Sequence, residues 1–378
     1  MRAEAQAGSK AAYYDWREFE LKVADRVIGY ASKPGLPDWD KPDYTAKLLA
    51  KSIEVEQGDR LIDLRSGRGI IAALAALRGA EVTVQDDHII ACEATRRTLE
   101  LNRVDARVEP ASDYDAAVLT LPRSRDALRS LVRRATHFLS HGGRLYLAGP
   151  NRSGIKSAID EAKAVFGSVR VAAYGKGHRV AVALHPAPVS SNDDDGFTVV
   201  EVAARGARWR IASAPGVFAH GRLDDGTRCL VEAMDIRAGE SFLDLGCGCG
   251  IVGLLGSRLG AQVVCLDASR TAVEATRRTL ALNDLANINV VWSDCASGVH
   301  GRLFDVVATN PPFHQGAGAD YEVGRQFVRD AADVLCAGGR LILVANRFLR
   351  YERVMSGLFS SVRVIHEDGR FRVLEAAK

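Results

Sequence analysis

The chain repeats itself, and the length of that repeat restricts the fold more than any other feature. The stretch GDRLIDLRSGRGIIAALAALRGAEVTVQDDHIIACEATRRTLELN begins at Gly58. It returns at Gly239 as GESFLDLGCGCGIVGLLGSRLGAQVVCLDASRTAVEATRRTLALN, an offset of 181 residues that holds without a gap from Asp63/Asp244 to Asn102/Asn283. The same offset pairs Pro34-Gly35 with Pro215-Gly216, Asp43 with Asp224, and Asp113 with Asp294. Solenoids and propellers repeat every 20–50 residues, roughly, so a period this long is a duplicated domain.

Each copy alternates in the same way. An apolar run bounded by glycine (Leu61 to Leu64; Phe242 to Leu245) precedes a helical stretch, a second apolar run (Val82 to Val84; Val263 to Leu266) and another helix. Such alternation predicts an α/β fold: two tandem Rossmann-like domains, each a parallel sheet with helices on both faces. The stretch from His185 to Gly206 holds Pro186, Pro188, Ser190, Ser191 and Asp193-Asp194-Asp195, a composition of linkers. We therefore expect domains at 1–187 and 206–378 joined by a linker at 188–205. With 47% hydrophobic and 26% charged residues, both halves have the material for a core. Residues 1–187 carry 29 Lys+Arg against 24 Asp+Glu, and residues 188–378 carry 21 against 23. The first half is thus the better dock for a polyanion, though solvated charged faces explain the difference equally well. Seven scattered cysteines point to reduced thiols and a cytoplasmic setting. Cys247 and Cys249 have no second pair at metal-ligand spacing, so no metal is expected. The N-terminus lacks the apolar core of a signal peptide. No run approaches the ~18 apolar residues that span a membrane. Oligomeric state is not legible.

In the second copy, Asp244-Leu-Gly246-Cys247-Gly248-Cys-Gly250 follows a strand and opens a helix. Glycines there let the backbone pass close to a ligand and take up positive φ, at the carboxyl edge where doubly wound sheets bind ligands. Nucleotide sites use similar loops. The spacing D-x-G-x-G-x-G, with an acidic residue at the strand end, resembles the pattern of S-adenosylmethionine (SAM)-dependent methyltransferases. Asp267, 17 residues past Gly250, ends the second strand and can accept from both ribose hydroxyls. Its other reading is the N-cap of a helix over 268–282. Asp294, ending the third apolar run, would accept from the adenine amino group or serve as a plain turn residue.

The chemistry sits further on, in FDVVATNPPFHQG, Phe304 to Gly316. Pro311 and Pro312 remove two backbone donors and stiffen the turn. The Pro311 carbonyl is then held and free to accept, beside the side-chain oxygen of Asn310. Two fixed acceptors can hold both hydrogens of an NH2 group and draw electron density onto its nitrogen. Pro312 would line the base pocket, and Phe313 offers a flat face for a splayed-out base. Positioning and polarisation supply the rate without a metal. The motif specifies a planar amine or amide nitrogen. It leaves open adenine in DNA, guanine in RNA and glutamine in a release factor.

Across nearly all of both halves, the chain resembles the two-domain ribosomal RNA guanine-N2 methyltransferases of the RsmC type. The pieces are Pro215-Gly216-Val217-Phe218 with Leu223-Asp224-x-Gly226, Asp244 to Gly250, Asn310 to His314, ANRFLRY from Ala345, and GGRLYLAGPNRSGIKS from Gly142. The resemblance implies SAM as donor, a guanine exocyclic amine as acceptor, and ribosomal RNA or a ribosomal subunit, the small one by preference, as substrate. It implies that Asn310 and Pro311 hold the amine, that Phe313 stacks on the base, and that His314 either touches RNA or is an ordinary turn histidine. The competing readings are a methyltransferase of DNA adenine or protein glutamine, and a non-catalytic SAM-binding assembly factor.

The first copy has lost these parts. Arg65 stands at the position of Gly246, Ser66 at Cys247 and Arg68 at Cys249, while YDAAVLTLPR replaces FDVVATNPPF, putting Thr120 at Asn310, Leu121 at Pro311 and Arg123 at Phe313. Asp86 and Asp113 keep the acidic positions. The first half is therefore expected to be degenerate. Arg125, Arg129 and Arg133, four apart, share a helical face. They are candidates to anchor RNA phosphates, or a solvated face.

Overall fold

The computed structural model describes residues 13–23, 26–185, 196–312 and 318–378. The first half runs β1 (Arg17–Val23), β2 (Arg26–Ser32), α1 (Tyr44–Ser52), β3 (Arg60–Asp63), α2 (Ile70–Leu77), β4 (Glu81–Val84), α3 (Ile89–Asn102), β5 (Tyr114–Thr120), α4 (Arg125–Phe138), β6 (Leu139–Pro150), α5 (Ile155–Phe166), β7 (Val169–Gly175) and β8 (His178–Leu184). The second runs β9 (Thr198–Ala204), β10 (Ala207–Ser213), α6 (Asp225–Ala233), β11 (Ser241–Leu245), α7 (Ile251–Arg258), β12 (Gln262–Asp267), α8 (Arg270–Leu282), β13 (Asn289–Trp292), β14 (Phe304–Thr309), α9 (Gly318–Val334), β15 (Leu335–Asn346), α10 (Glu352–Met355), β16 (Ser361–Glu367) and β17 (Phe371–Ala377).

Two large sheets result, ordered β4-β3-β5-β6-β8-β7 and β13-β12-β11-β14-β15-β17-β16. The α/β duplication read from the repeat is present, and the sheets are mixed. The first strands pair in parallel, while β8 with β6 and β17 with β15 pair antiparallel. Parallel strands read as continuous apolar runs because both faces are buried: Phe242 to Leu245 are all buried. Where the second half has strand β13, the first keeps a single parallel bridge, Thr83 to Arg107. Each half also begins with a two-stranded hairpin, β1-β2 and β9-β10. The linker expected at 188–205 is therefore too long, since Thr198–Ala204 is a strand paired with Ala207–Ser213. Its alternating TVVEVAA was hidden by the Pro/Ser/Asp run before it.

The halves meet through equivalent segments. His88 bridges Ser269, its own repeat partner. Ile89 N donates to Ala268 O at 2.9 Å and, in the mirrored sense, Arg270 N donates to Asp87 O at 2.8 Å. This is the pattern of a two-fold, isologous contact. The Asp87 carboxylate also accepts from Ser269 Oγ (2.5 Å), Thr271 N (2.8 Å) and Thr271 Oγ1 (2.6 Å), placing negative charge at the start of α8, where the helix dipole favours it. Tyr13, Leu36, Ile90 and Ala94 of the first half join a core with Leu243, Leu266 and Phe327 of the second.

Candidate active site

Asn310 follows the last residue of β14, the strand beside β11 whose end carries the glycine loop. Thr309 is fully buried and donates to Leu245 O at 2.7 Å, which ties the two strand ends together. The Asn310 amide nitrogen donates to Thr227 Oγ1 (2.9 Å) and to Asp224 Oδ2 (3.2 Å). Asp224 is the N-cap of α6 and also accepts from Thr227 N at 2.9 Å. A carboxylate only accepts, so it selects the amide orientation in which nitrogen faces Asp224. Asn310 Oδ1 is left facing away, and neither it nor the Pro311 carbonyl takes a donor from the described residues. Pro311 is buried and Pro312 exposed. Phe313 and His314 lie outside the described residues. Asp224 and Thr227 were not singled out for this role in the sequence. Asp224 was marked in the sequence by the repeat pair Asp43/Asp224 and by the Leu223-Asp224-x-Gly226 piece, Thr227 by neither.

The loop after β11 fits a ligand's close approach. Gly246, Gly248 and Gly250 have φ of 81°, 56° and 82°, and a Cβ on Gly246 would fall 2.9 Å from the Phe327 ring. Asp267 accepts from Gly248 N and Ser269 N, both at 2.9 Å. Burial raises its pKa against those two bonds, and each oxygen keeps lone pairs for further donors. Asp267 is not the helix cap; Ser269 is, accepting from Ala272 N. Asp244 is 1% exposed, accepts from Gly253 N at 2.8 Å, and is pushed by burial up to about 7. Its carboxylate braces the start of α7. The Cys247 side chain is buried too, and takes a hydrogen bond from Thr276 Oγ1 at 3.2 Å, just as Ser66 takes one from Thr95 at 2.8 Å. Only the backbone of Cys247 is left to face a cofactor.

Asp294 departs most from expectation. Its Oδ2 pairs with Lys33 Nζ at 2.6 Å and its Oδ1 accepts from Tyr13 OH at 2.9 Å, both from the first half. Lys33 is 1% exposed and lies 3.9 Å from the Tyr13 ring centroid. Tyr14 OH reaches Asp330 at 2.5 Å beside this pair. His88 stands among Asp86, Asp294 and Asp267. Burial lowers its pKa, and those carboxylates oppose the shift. The Asp294 side of the loop is thus walled by the first half, which nothing local in the sequence announced.

The corresponding pocket of the first half is filled. Arg65, outside the positive-φ residues, donates through Nη1 to Leu121 O (3.2 Å) and Thr120 Oγ1 (3.4 Å). Those groups align with the Pro311 carbonyl and Asn310. Arg68 is buried against Asp43 Oδ2 (3.3 Å) and the carbonyls of Pro37 and Asp38 (both 2.6 Å). On α4, Arg125, Arg129 and Arg133 are all exposed. Arg129 pairs with Glu161 at 2.7 Å, while Arg125 and Arg133 form no ion pair among the described residues.

Comparison with known proteins agrees with this duplicated architecture. The model of the methyltransferase small domain matches twice, over residues 28–182 and 208–375. The ribosomal RNA small subunit methyltransferase C of Hahella chejuensis is 33% identical over 82% of this chain and 91% of its own length. That of Chromohalobacter salexigens is 37% identical over 76% and 85%. Among solved structures, the T. thermophilus 16S rRNA N2 G1207 methyltransferase (RsmC), in complex with AdoMet and guanosine, superposes with a TM-score of 0.80 at 29% identity, covering 96% of this chain and 98% of that one. No helix of the described residues is long and apolar enough to cross a membrane.

Proposed function

The chain belongs to the ribosomal RNA small subunit methyltransferase C family, and from that premise we propose how its residues carry a methyl group to the exocyclic N2 amine of a guanine in 16S ribosomal RNA. SAM, when bound, supplies an electrophilic methyl on a sulfonium centre. The Gly246–Gly250 backbone and Asp267 are the residues that would hold it. Asp267 offers its remaining lone pairs to the ribose hydroxyls. Asp294, already gripped by Lys33 and Tyr13, offers what is left of its carboxylate to the adenine amine.

One observation carries the catalytic assignment: the Asn310 amide is held through its nitrogen by Asp224 and Thr227, which leaves its oxygen without a donor among the described residues. That oxygen and the Pro311 carbonyl accept the two N2 hydrogens, fix the amine's direction and enrich its nitrogen. Phe313 would stack on the base, with Pro312 and His314 beside it. The proton on the methylated nitrogen is strongly acidic and leaves to water without a dedicated base. The first half, its own pocket plugged by Arg65, contributes no chemistry. It supports the Asp294 side of the cleft and offers the basic face of α4 to RNA.

Tritiated SAM with 16S rRNA, small subunits, DNA and release factor as parallel acceptors tests this reading. Label in guanine N2 is expected. Label in adenine or glutamine, or none, refutes it. With Asn310→Ala, transfer should fall at least a hundredfold while SAM still binds; equal loss of both would make Asn310 a folding or cofactor residue.

A further inference from the structure

Two of the described phenylalanines are exposed, Phe218 at 52% and Phe348 at 55%. One exposed ring is unremarkable, but these two lie on segments that both lead to the sheet edge where Asn310 stands. Phe218 lies in the loop from β10 to α6, which ends at Asp224 on the Asn310 amide. Phe348 lies just past the end of β15, which runs parallel to β14 and leaves the sheet on the same edge as Asn310. Each ring has a cation close by in sequence. Arg222 and Arg350 are exposed and form no ion pair among the described residues.

The degenerate half serves as an internal control. At the repeat offset, Phe218 corresponds to Pro37. With Asn346-Arg347 matched to Asn151-Arg152, Phe348 corresponds to Ser153. The rings are absent from the half that lost its Asn-Pro-Pro turn. The Phe218 loop also adjoins α4 of the first half: a Cβ on Gly216 would sit 3.6 Å from that of Ala127. The exposed Arg125, which forms no ion pair among the described residues, begins that helix.

We propose that Phe218 and Phe348 are stacking platforms for the nucleotides on either side of the target guanine, so that the enzyme takes its base from an unpaired stretch of RNA. Aromatic faces combined with free cations are how proteins hold single strands, the rings on bases and the cations on phosphates. The arrangement would hold the neighbours while the guanine alone turns inward. The inference rests on the guanine-methylating reading above.

The test uses the full chain and two short unpaired RNAs, each with one guanine. In the first RNA both neighbouring nucleotides are intact; in the second both are abasic. Wild-type kcat/KM, read by tritium transfer from SAM, should favour the intact RNA at least fivefold. Phe218→Ala and Phe348→Ala should each lose roughly 5- to 100-fold on the intact RNA, the range of a lost base–aromatic stack. On the abasic RNA the same variants should lose less than twofold further, and Trp at either position should restore most of the preference. A wild type indifferent to the neighbours, or variants equally impaired on both RNAs, overturns the inference. If 16S rRNA itself is labelled at guanine N2 in that event, only this inference has failed; absence of that label would remove the underlying reading as well.

Discussion

Thr227→Val isolates the orientation of Asn310 from its presence. The substitution keeps shape and removes one acceptor, the Oγ1 that takes Asn310 Nδ2 at 2.9 Å. The longer contact to Asp224 at 3.2 Å remains. A neutral hydrogen bond of this kind contributes about 0.5–1.5 kcal/mol net. Lost from a group whose direction matters only as the methyl moves, that becomes roughly a 2- to 13-fold fall in kcat with little change in SAM affinity. Asp224→Ala removes a charge-assisted partner and the α6 cap together. It should cost more in rate, and about 1 kcal/mol of stability from the cap alone. The assay is single-turnover methyl transfer to saturating rRNA, with SAM affinity by calorimetry. The decisive comparison is the double mutant, because coupled residues are not additive. On an Asn310→Ala background, Thr227→Val should cost nothing further. If Thr227→Val is silent alone, or if its cost persists without Asn310, the amide is not held by this pair and the argument for two aimed acceptors fails.

Two further outcomes follow from buried charge. Lys33→Met should destabilise the chain by about 3–5 kcal/mol in denaturant unfolding, because Asp294 would be left as an uncompensated, largely buried charge; adding Asp294→Asn should recover much of that, and no recovery would mean Lys33 acts through packing alone. Burial raises Asp244 from 3.8 to about 7, so the folded state holds its proton more tightly than the unfolded one. The associated stability is complete below about pH 4 and is lost as pH rises to about 7. Asp244→Asn keeps an acceptor for Gly253 N, and should raise the melting temperature at pH 8 and flatten its fall between pH 5 and pH 8. Asp63, raised by burial in the same way, supplies the slope that remains; a lower melting temperature at pH 8 would refute the reasoning.

What could be read from the residues was local. Strands β11 and β12 announced themselves as apolar runs, since each is buried on both faces. The glycines of the loop were legible because positive φ leaves few alternatives, and the exchange of Gly246 for Arg65 marked a place where the copies differ in structure as well as in sequence. Partners distant along the chain were not legible. Lys33 meets Asp294 across 261 positions, and Asp224 meets Asn310 across 86. In neither case does periodicity or spacing connect the two. Cys247 and Asp244 illustrate a different limit. A motif placed them at the cofactor, yet their side chains are spent inside the fold on Thr276 and Gly253, and only three-dimensional packing could say so.

The pairing of the halves shows which residues of the first half brace the second. The bridge between His88 and Ser269 relates equivalent positions, so the backbone contact is near two-fold and either copy could in principle brace the other. The side chains break that equality in one direction. Lys33 grips Asp294, but its repeat partner is Ala214, buried and uncharged, and the repeat partner of Asp294, Asp113, is exposed and bonded to the neighbouring Ser112 at 2.8 Å. Adhesion between halves would be served by an ion pair on either side. A clamp found, among the described residues, on the side that keeps the Asn-Pro-Pro turn and not on the other is instead what support of one cleft requires. The face that presents Tyr13, Lys33 and Asp87 is thus the part of the first half on which the second half's loop ends rest.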